Sequence, residues 1–393
     1  METWITTTEA ARRLGVKPAT VYAYVSRGVL RRRSDSGGRR SLFDAAQVEA
    51  LARGGRPRRP PAPAELVIES SITALRDGRP FYRGRDALEL AGSWSFEQTA
   101  FWLWNEGTED PGPWPAVPDA LPPAVAAQSG LPAETLPRER LQVITAALAA
   151  TDPLRHVAGR AAVIATGQRF IAAMLDCLPA VGSCPGQRIE ERLWRTLCPV
   201  PAEPDLLAVL RSALIVLADH ELAASTLAVR IAASTRADPY TAVAAGLAVC
   251  AGPLHGGASL AVERLLDDIG APADVGRVIG DRLRRGERIP GFGHAVYSVD
   301  RRGSYVLGRL REIRPGHRLL AIADEMLEVM RRRRLPAPNT DLAVAVLARM
   351  AGMIDGAAEA IFVTARTAGW LAHAFEEYDH DRLLRARAVY TGD

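Results

Sequence analysis

From Leu141 onward, apolar residues recur at three- and four-residue spacing in segments separated by Pro or Gly. That spacing gives each segment one apolar stripe and predicts a succession of packed helices. The same periodicity covers Ala87–Ala91 and Phe96–Leu103, whereas residues 110–136 are rich in proline and read as loops with one or two helical turns. Strand-like patterning is confined to residues 66–83 and to a basic stretch near residues 30–43. No glycine-rich phosphate loop follows a strand, so a nucleotide-binding sheet lacks support. The body is expected to be all-α.

The first sixty residues follow another pattern. Thr6 stands three residues before Glu9 and offers a capping box ahead of a short helix that Gly15 ends. Pro18 suits the first turn of a second helix, which carries Val21, Tyr22, Tyr24 and Val25 and ends near Arg27-Gly28. Lys17 occupies the position where a Ser or Thr cap is expected. Ala10, Leu14, Val16, Val21 and Val25 suffice for a small core. Residues 30–43 then read as a basic strand, a glycine turn and a returning strand, with a third helix from Asp44. The pattern over residues 3–54 resembles the winged helix-turn-helix of the MerR and excisionase type. That resemblance implies a second helix in the DNA major groove and phosphate contacts from Arg31, Arg32, Arg33, Arg39 and Arg40. Residues 55–64 are dominated by Pro and Arg and read as a semi-rigid linker.

Charge sharpens this division. Residues 1–60 hold thirteen Lys/Arg against five Asp/Glu, a balance of +8, while the 393-residue chain totals +4, so the remainder carries −4. A basic module attached to a near-neutral body is the expected organisation. Lys17 is the only lysine. The fractions of 48% hydrophobic and 24% charged residues are those of a globular protein. Cys177, Cys184, Cys198 and Cys250 form no Cys-x-x-Cys pair, so reduced thiols are expected rather than a disulfide framework or a metal site. Neither a signal peptide nor a membrane-length apolar run is present, and a cytoplasmic location follows as an expectation.

Three short stretches carry the chemistry: Gly252–Ser259 with His255, Pro290–Tyr297 with His294, and Pro338–Asp341 with Asp341. Each presents one ionisable side chain beside small or rigid residues. Two imidazoles and one carboxylate are the groups that enolisation followed by attack on a carbonyl requires. In this order and spacing they resemble the active site of the citrate synthase family. The Asp77-Gly78, Tyr82-Arg83-Gly84 and Glu89-Leu90-Ala91 pieces match that family's opening. Ala218-Asp219-His220-Glu221 through Tyr240, Ile361–His373 and Arg385–Gly392 match its later signatures, so the resemblance spans about residues 66–393.

The resemblance implies a citrate synthase fold with a large helical domain (65–256 and 351–393) and a small one (257–350), following the winged unit (1–54). It implies a homodimer and condensation of acetyl-CoA with oxaloacetate, with no tightly bound cofactor, no metal and a coenzyme A thioester as cosubstrate. Asp341 becomes the base, His255 the donor to the enolate, and His294 the polariser of the ketone. His220, Arg366 and Arg385 become carboxylate-binding residues, Arg385 acting across the dimer. Arg301 and Arg302 both offer a further contact, and Arg302 is carried as the candidate. Departures from the family are Leu217 for a frequent histidine, Ala223 for a frequent asparagine, Ala386 for proline, and a shortened 297–303 loop. Ser298 stands where a basic residue often meets coenzyme phosphates; Arg331–Arg334 offer an alternative, or simply an exposed basic helix end. His156, His317, His373 and His380 are expected at the surface or in packing. The remaining alternatives are 2-methylcitrate synthesis from propionyl-CoA, and a DNA-binding regulator whose synthase-like body senses a metabolite.

Overall fold

The computed structural model describes residues 4–16, 18–26, 30–34, 41–53, 68–115, 118–157, 159–253, 255–256, 258–293, 300–380 and 382–385. The expected linker and the candidates His294, Arg39 and Arg40 lie outside the described residues, as do Lys17, Ser298 and Ala386. The chain divides into two compact units, Met1–Glu69 and Ser70–Asp393.

The N-terminal unit runs β1 (Trp4–Thr6), α1 (Thr7–Leu14), α2 (Pro18–Ser26), β2 (Arg32–Ser34), β3 (Ser41–Asp44) and α3 (Ala45–Arg53). Thr6 caps α1 by accepting from the Glu9 amide at 3.4 Å, and Gly15 ends the helix in the left-handed conformation. β3 is the middle strand, antiparallel to β1 and β2, with Ile5 opposite Phe43 and Arg33 opposite Leu42. β1 is absent from the sequence expectation because three residues show no periodicity; pairing with β3 defines it. Val21, Phe43 and Val48 are fully buried at the centre.

The body opens with a three-stranded antiparallel sheet of β4 (Thr73–Arg76), β5 (Arg79–Tyr82) and β6 (Arg85–Asp86). Asp77 and Gly78 join β4 to β5 with φ of 49° and 76°, the paired positive values that a two-residue hairpin turn demands. Helices follow: α4 (Ala87–Ser93), α5 (Phe96–Asn105), α6 (Leu121–Ser129), α7 (Pro137–Thr151), α8 (Arg160–Asp176) and α9 (Ile189–Leu197). Next come α10 (Pro204–Leu217), α11 (Ala224–Ser234), α12 (Pro239–Cys250), α13 (Ala258–Asp268) and α14 (Val275–Arg284). α15 (Arg301–Ile313), α16 (Arg318–Arg332), α17 (Thr340–Met350) and α18 (Ala357–Tyr378) complete the body. α6 is longer than the expected one or two turns, because Pro122 and Pro123 fall in its first turn, where a missing N–H costs nothing.

α18 is the axis of the body. It packs against α5, α7, α8, α10, α11, α12, α13 and α17, and almost every side chain along it is buried. Glu263 of α13 accepts from the Gly356 and Ala358 amides at 2.9 and 2.8 Å, so a carboxylate meets the helix N-terminus. Gly369 lets the turn after α10 press onto α18, since a Cβ there would stand 2.3 Å from the Ala218 carbonyl oxygen. Among the described residues, no helix is long and apolar enough to cross a membrane.

Candidate active site

Asp341 stands in the first turn of α17, where the Asn339 side chain caps the helix by accepting from the Asp341 amide at 3.1 Å. Asn339 also stitches this helix start to the segment before His294. Its amide N–H donates to the Gly291 carbonyl at 2.9 Å and its side-chain Nδ2 to the Gly293 carbonyl at 3.0 Å. Gly293 N–H in turn donates to the Ala337 carbonyl at 2.7 Å. Gly291 and Gly293 adopt φ of 81° and 90°, a region that a side chain would strain. The backbone leading into His294 is thereby fastened beside the candidate base.

The Asp341 carboxylate is partly buried and accepts from Ser259 Oγ at 2.6 Å. Burial pushes its pKa above the usual carboxylate range, and the Ser259 hydroxyl and the charges of Arg302 and Arg366 pull it partly back. Its neighbour Thr340 donates to Asp300 Oδ2 at 2.6 Å. Asp300 caps α15 and grips Arg302 with both oxygens, at 3.0 Å to Nε and 2.8 Å to a terminal nitrogen. Burial alone would raise the Asp300 pKa, but Arg302 and Thr340 hold it below its ordinary value. Arg302 is thus buried beside the candidate base, whereas Arg301 is exposed and donates to the Asp77 carbonyl at 2.9 Å.

His255 lies in the turn between α12 and α13. Gly256 is needed there, because a Cβ would meet the Cys250 carbonyl oxygen at 2.7 Å. His255 Nε2 is 2.7 Å from Ser225 Oγ, which also accepts from Trp370 Nε1 at 3.3 Å. Burial, aided by the Arg366 charge, lowers the His255 pKa to about 4, so the imidazole is neutral at neutral pH.

Arg366, fully buried on α18, donates from Nε to the Leu217 carbonyl at 2.9 Å and has its guanidinium 4.8 Å from the Phe362 ring centre. Burial lowers its pKa, while the Asp219 carboxylate favours its charge. It is the electrostatic hub, acting on His255, Asp341 and Asp219. His220 is buried immediately after Asp219. Of the other candidates, Arg385 is exposed beyond the end of α18, and Arg331–Arg334 are exposed at the end of α16.

The structure therefore brings His255, Asp341 and Arg302 each within the field of Arg366. Sequence reasoning missed Ser225, Ser259 and Asp300, although Ser259 closes the His255 stretch and Asp300 immediately precedes Arg301 and Arg302. A carboxylate of raised basicity, a neutral imidazole and buried guanidinium groups suit proton removal next to a carbonyl and binding of an anionic partner.

Comparison with known proteins finds relatives for both parts of the chain. The citrate synthase C-terminal domain family matches residues 64–387, and a helix-turn-helix domain family matches residues 4–56. A citrate synthase of Haloferax volcanii is 29% identical over 360 residues, covering 84% of this chain and 94% of its own length. A 2-methylcitrate synthase of Mycobacterium tuberculosis is 28% identical over 344 residues, covering 79% and 84%. The Thermoplasma acidophilum citrate synthase, solved in ternary complex with carboxymethyl coenzyme A and oxaloacetate, superposes with a TM-score of 0.69 at 25% identity, covering 84% and 95%. With its all-α body and this set of relatives, the chain belongs to the citrate synthase family and is an enzyme of that type, carrying a helix-turn-helix unit ahead of the synthase body.

Proposed function

We propose that this enzyme condenses acetyl-CoA with oxaloacetate to give citrate and CoA, with Asp341 as the base. The observation that carries this reading is the pairing of an Asp341 carboxylate raised in basicity by burial with a neutral His255, both under the field of Arg366. Asp341 takes a proton from the thioester methyl group while His255 donates a hydrogen bond to the forming enolate oxygen. If Ser225 donates to His255 Nε2, the imidazole proton lies on Nδ1 and faces the enolate. His294 polarises the ketone and protonates its oxygen as the carbon–carbon bond forms, and water then hydrolyses the acyl-CoA adduct. His220, Arg302 and Arg366 orient the dicarboxylate, and Arg385 of a second copy completes the site in a homodimer. The segment from about 257 to 350 acts as a small lobe closing over substrate, with hinges near the glycines beside His255 and His294.

Purified protein given both substrates should release free thiol, and Asp341→Ala should reduce turnover by about 10²–10⁴-fold. Absence of turnover with every pairing of acyl-CoA and 2-oxo dicarboxylate would sink the reading. One methylene is worth about 1–3 kcal/mol in an apolar pocket, so propionyl-CoA is the competing substrate. A higher kcat/KM for propionyl-CoA than for acetyl-CoA assigns the enzyme to 2-methylcitrate synthesis instead. Sedimentation at micromolar concentration tests the dimer.

A second reading concerns the N-terminal unit, which we propose binds DNA and makes the protein a regulator as well as an enzyme. Its support is the exposed run Arg31–Arg33 at the start of β2, where the Arg33 guanidinium stacks 4.3 Å from the Trp4 ring centre and Arg32 5.6 Å from that of Tyr22. Stacking on rings holds the charges outward with less entropy to lose on meeting phosphates. Selection of genomic fragments by the full-length protein, with and without oxaloacetate, tests it; no enriched fragment in either condition removes it.

A further inference from the structure

One face of α18 does more than present Arg366. Arg366, Gly369, His373 and the Glu376-Glu377 pair recur along it at three- and four-residue spacing. Arg366 Nε donates to the Leu217 carbonyl at 2.9 Å, and Gly369 N–H donates to the Ala218 carbonyl at 3.0 Å. His373 Nε2 lies 3.3 Å from Asp219 Oδ2. Three successive residues are thus held by successive turns of one helix, and the next residue in the chain is His220. From the opposite side, the Tyr82 hydroxyl lies 3.2 Å from both the amide nitrogen and the carbonyl oxygen of Asp219.

The group behind His373 orients its ring. Arg230 of α11 places a terminal nitrogen 2.9 Å from His373 Nδ1, and the same guanidinium binds Glu376 and Glu377. Arginine can only donate, so Nδ1 must accept and the ring proton must be on Nε2, aimed at Asp219. Arg230, His373, Asp219 and Glu377 are all fully buried, so each misplaced member would leave an uncompensated polar group. Asp219 in turn sets its charge against Arg366.

We infer that His373 is a positioning residue for the condensation: held at Nδ1 by Arg230, it fixes Asp219 and thereby the turn that presents His220 alongside Arg366. This rests on the proposed role of His220 and Arg366 in binding the dicarboxylate.

Two substitutions divide the two functions of the ring. His373→Asn keeps an acceptor near the Nδ1 position for Arg230 but has no donor reaching Asp219. His373→Gln extends an amide N–H to where Nε2–H stood. Steady-state kinetics in both substrates, with a melting curve on each variant, give the readout. The Asn variant should raise KM for oxaloacetate about ten- to a hundredfold, with little change in KM for acetyl-CoA or in kcat at saturation. The Gln variant should recover most of that loss. A residue that only stabilises the body would lower the melting temperature and leave the oxaloacetate KM alone. An oxaloacetate KM within about threefold of wild type in the Asn variant, or equal losses in both variants, overturns the inference. Wild-type protein that neither turns over nor binds oxaloacetate overturns the substrate reading first, and the inference with it.

Discussion

Ser259 and Asp341, on two different helices, share a hydrogen bond of 2.6 Å from the serine hydroxyl to the carboxylate. It opposes burial: the apolar surroundings raise the Asp341 pKa, and Ser259 lowers it. The candidate base is therefore held between a carboxylate too weakly basic to take the proton and one already protonated near neutral pH.

Ser259→Ala removes the lowering influence, so the Asp341 pKa rises further. The form that accepts a proton is then lost at a higher pH, and the acidic limb of the pH–kcat profile should move upward. Turnover at the plateau should fall by much less than the loss of about 10²–10⁴-fold expected of Asp341→Ala. An acidic limb that stays in place in the variant contradicts the coupling.

Arg302 and Arg301 are neighbours in sequence and opposites in structure. Arg302→Ala leaves Asp300 buried without its bidentate partner, a loss of about 3–5 kcal/mol in stability. Arg302→Lys keeps the charge but not the fork, so it should fold and raise KM for the 2-oxo acid. Arg301→Ala removes an exposed contact to a carbonyl and should change stability by about 0.5 kcal/mol or less. Denaturant melts and KM values for the three variants check this; an Arg301 variant with the larger KM effect reverses the assignment.

Much of this arrangement was legible in the chain. Apolar spacing foretold the helices of the body, and the Thr6 cap, Gly15 and Pro18 foretold the first helices of the N-terminal unit. His255 and Asp341 were visible because glycine, proline and a polarisable side chain occur together there. Choosing between Arg301 and Arg302 was not possible from sequence, because one residue of helix rotation separates a buried side chain from an exposed one. His373 looked like a packing histidine, since its partners Arg230 and Asp219 lie 143 and 154 residues away. Local patterns report the element on which a residue falls; the partner across the core depends on how the elements pack.

A second pair of carboxylates, remote from these residues in sequence, should give the body a pH dependence of its own. Glu190 and Glu97 are buried, and burial, with the Glu97 charge, raises the Glu190 pKa to about 7. Arg211 opposes this rise at Glu190, Glu191 adds to it, and Arg188 and Asp110 act in opposite senses on Glu97. A raised folded-state pKa means the contribution to stability is fully present below the ordinary value of 4.5 and is lost as pH rises through about 7. The loss is on the order of 3 kcal/mol. Glu190→Gln removes the ionisation, so its melting temperature relative to wild type should climb between pH 5 and pH 8. A constant difference over that range rules the effect out.

The basic residues of the N-terminal unit should divide by their partners. Glu9 holds Arg12 and Arg13 at 2.6 and 2.8 Å, and Arg13 also reaches Glu49 at 3.1 Å. Those charges are already matched within the unit. Arg32 and Arg33 instead lie against the rings of Tyr22 and Trp4, which add no negative charge. If the unit binds DNA, each phosphate contact releases counterions and adds about 0.9 to the slope of log affinity against log salt. Arg32→Ala and Arg33→Ala should each reduce that slope by about 1, and Arg12→Ala should leave it unchanged. Trp4→Ala keeps the Arg33 charge but removes its stacking platform, so affinity should fall by about 0.5–1 kcal/mol with the slope retained. Titrations of the full-length protein with duplex DNA at several salt concentrations separate these outcomes. A slope that responds to Arg12 but not to Arg32 or Arg33 would move the contact surface from the β2 strand to α1.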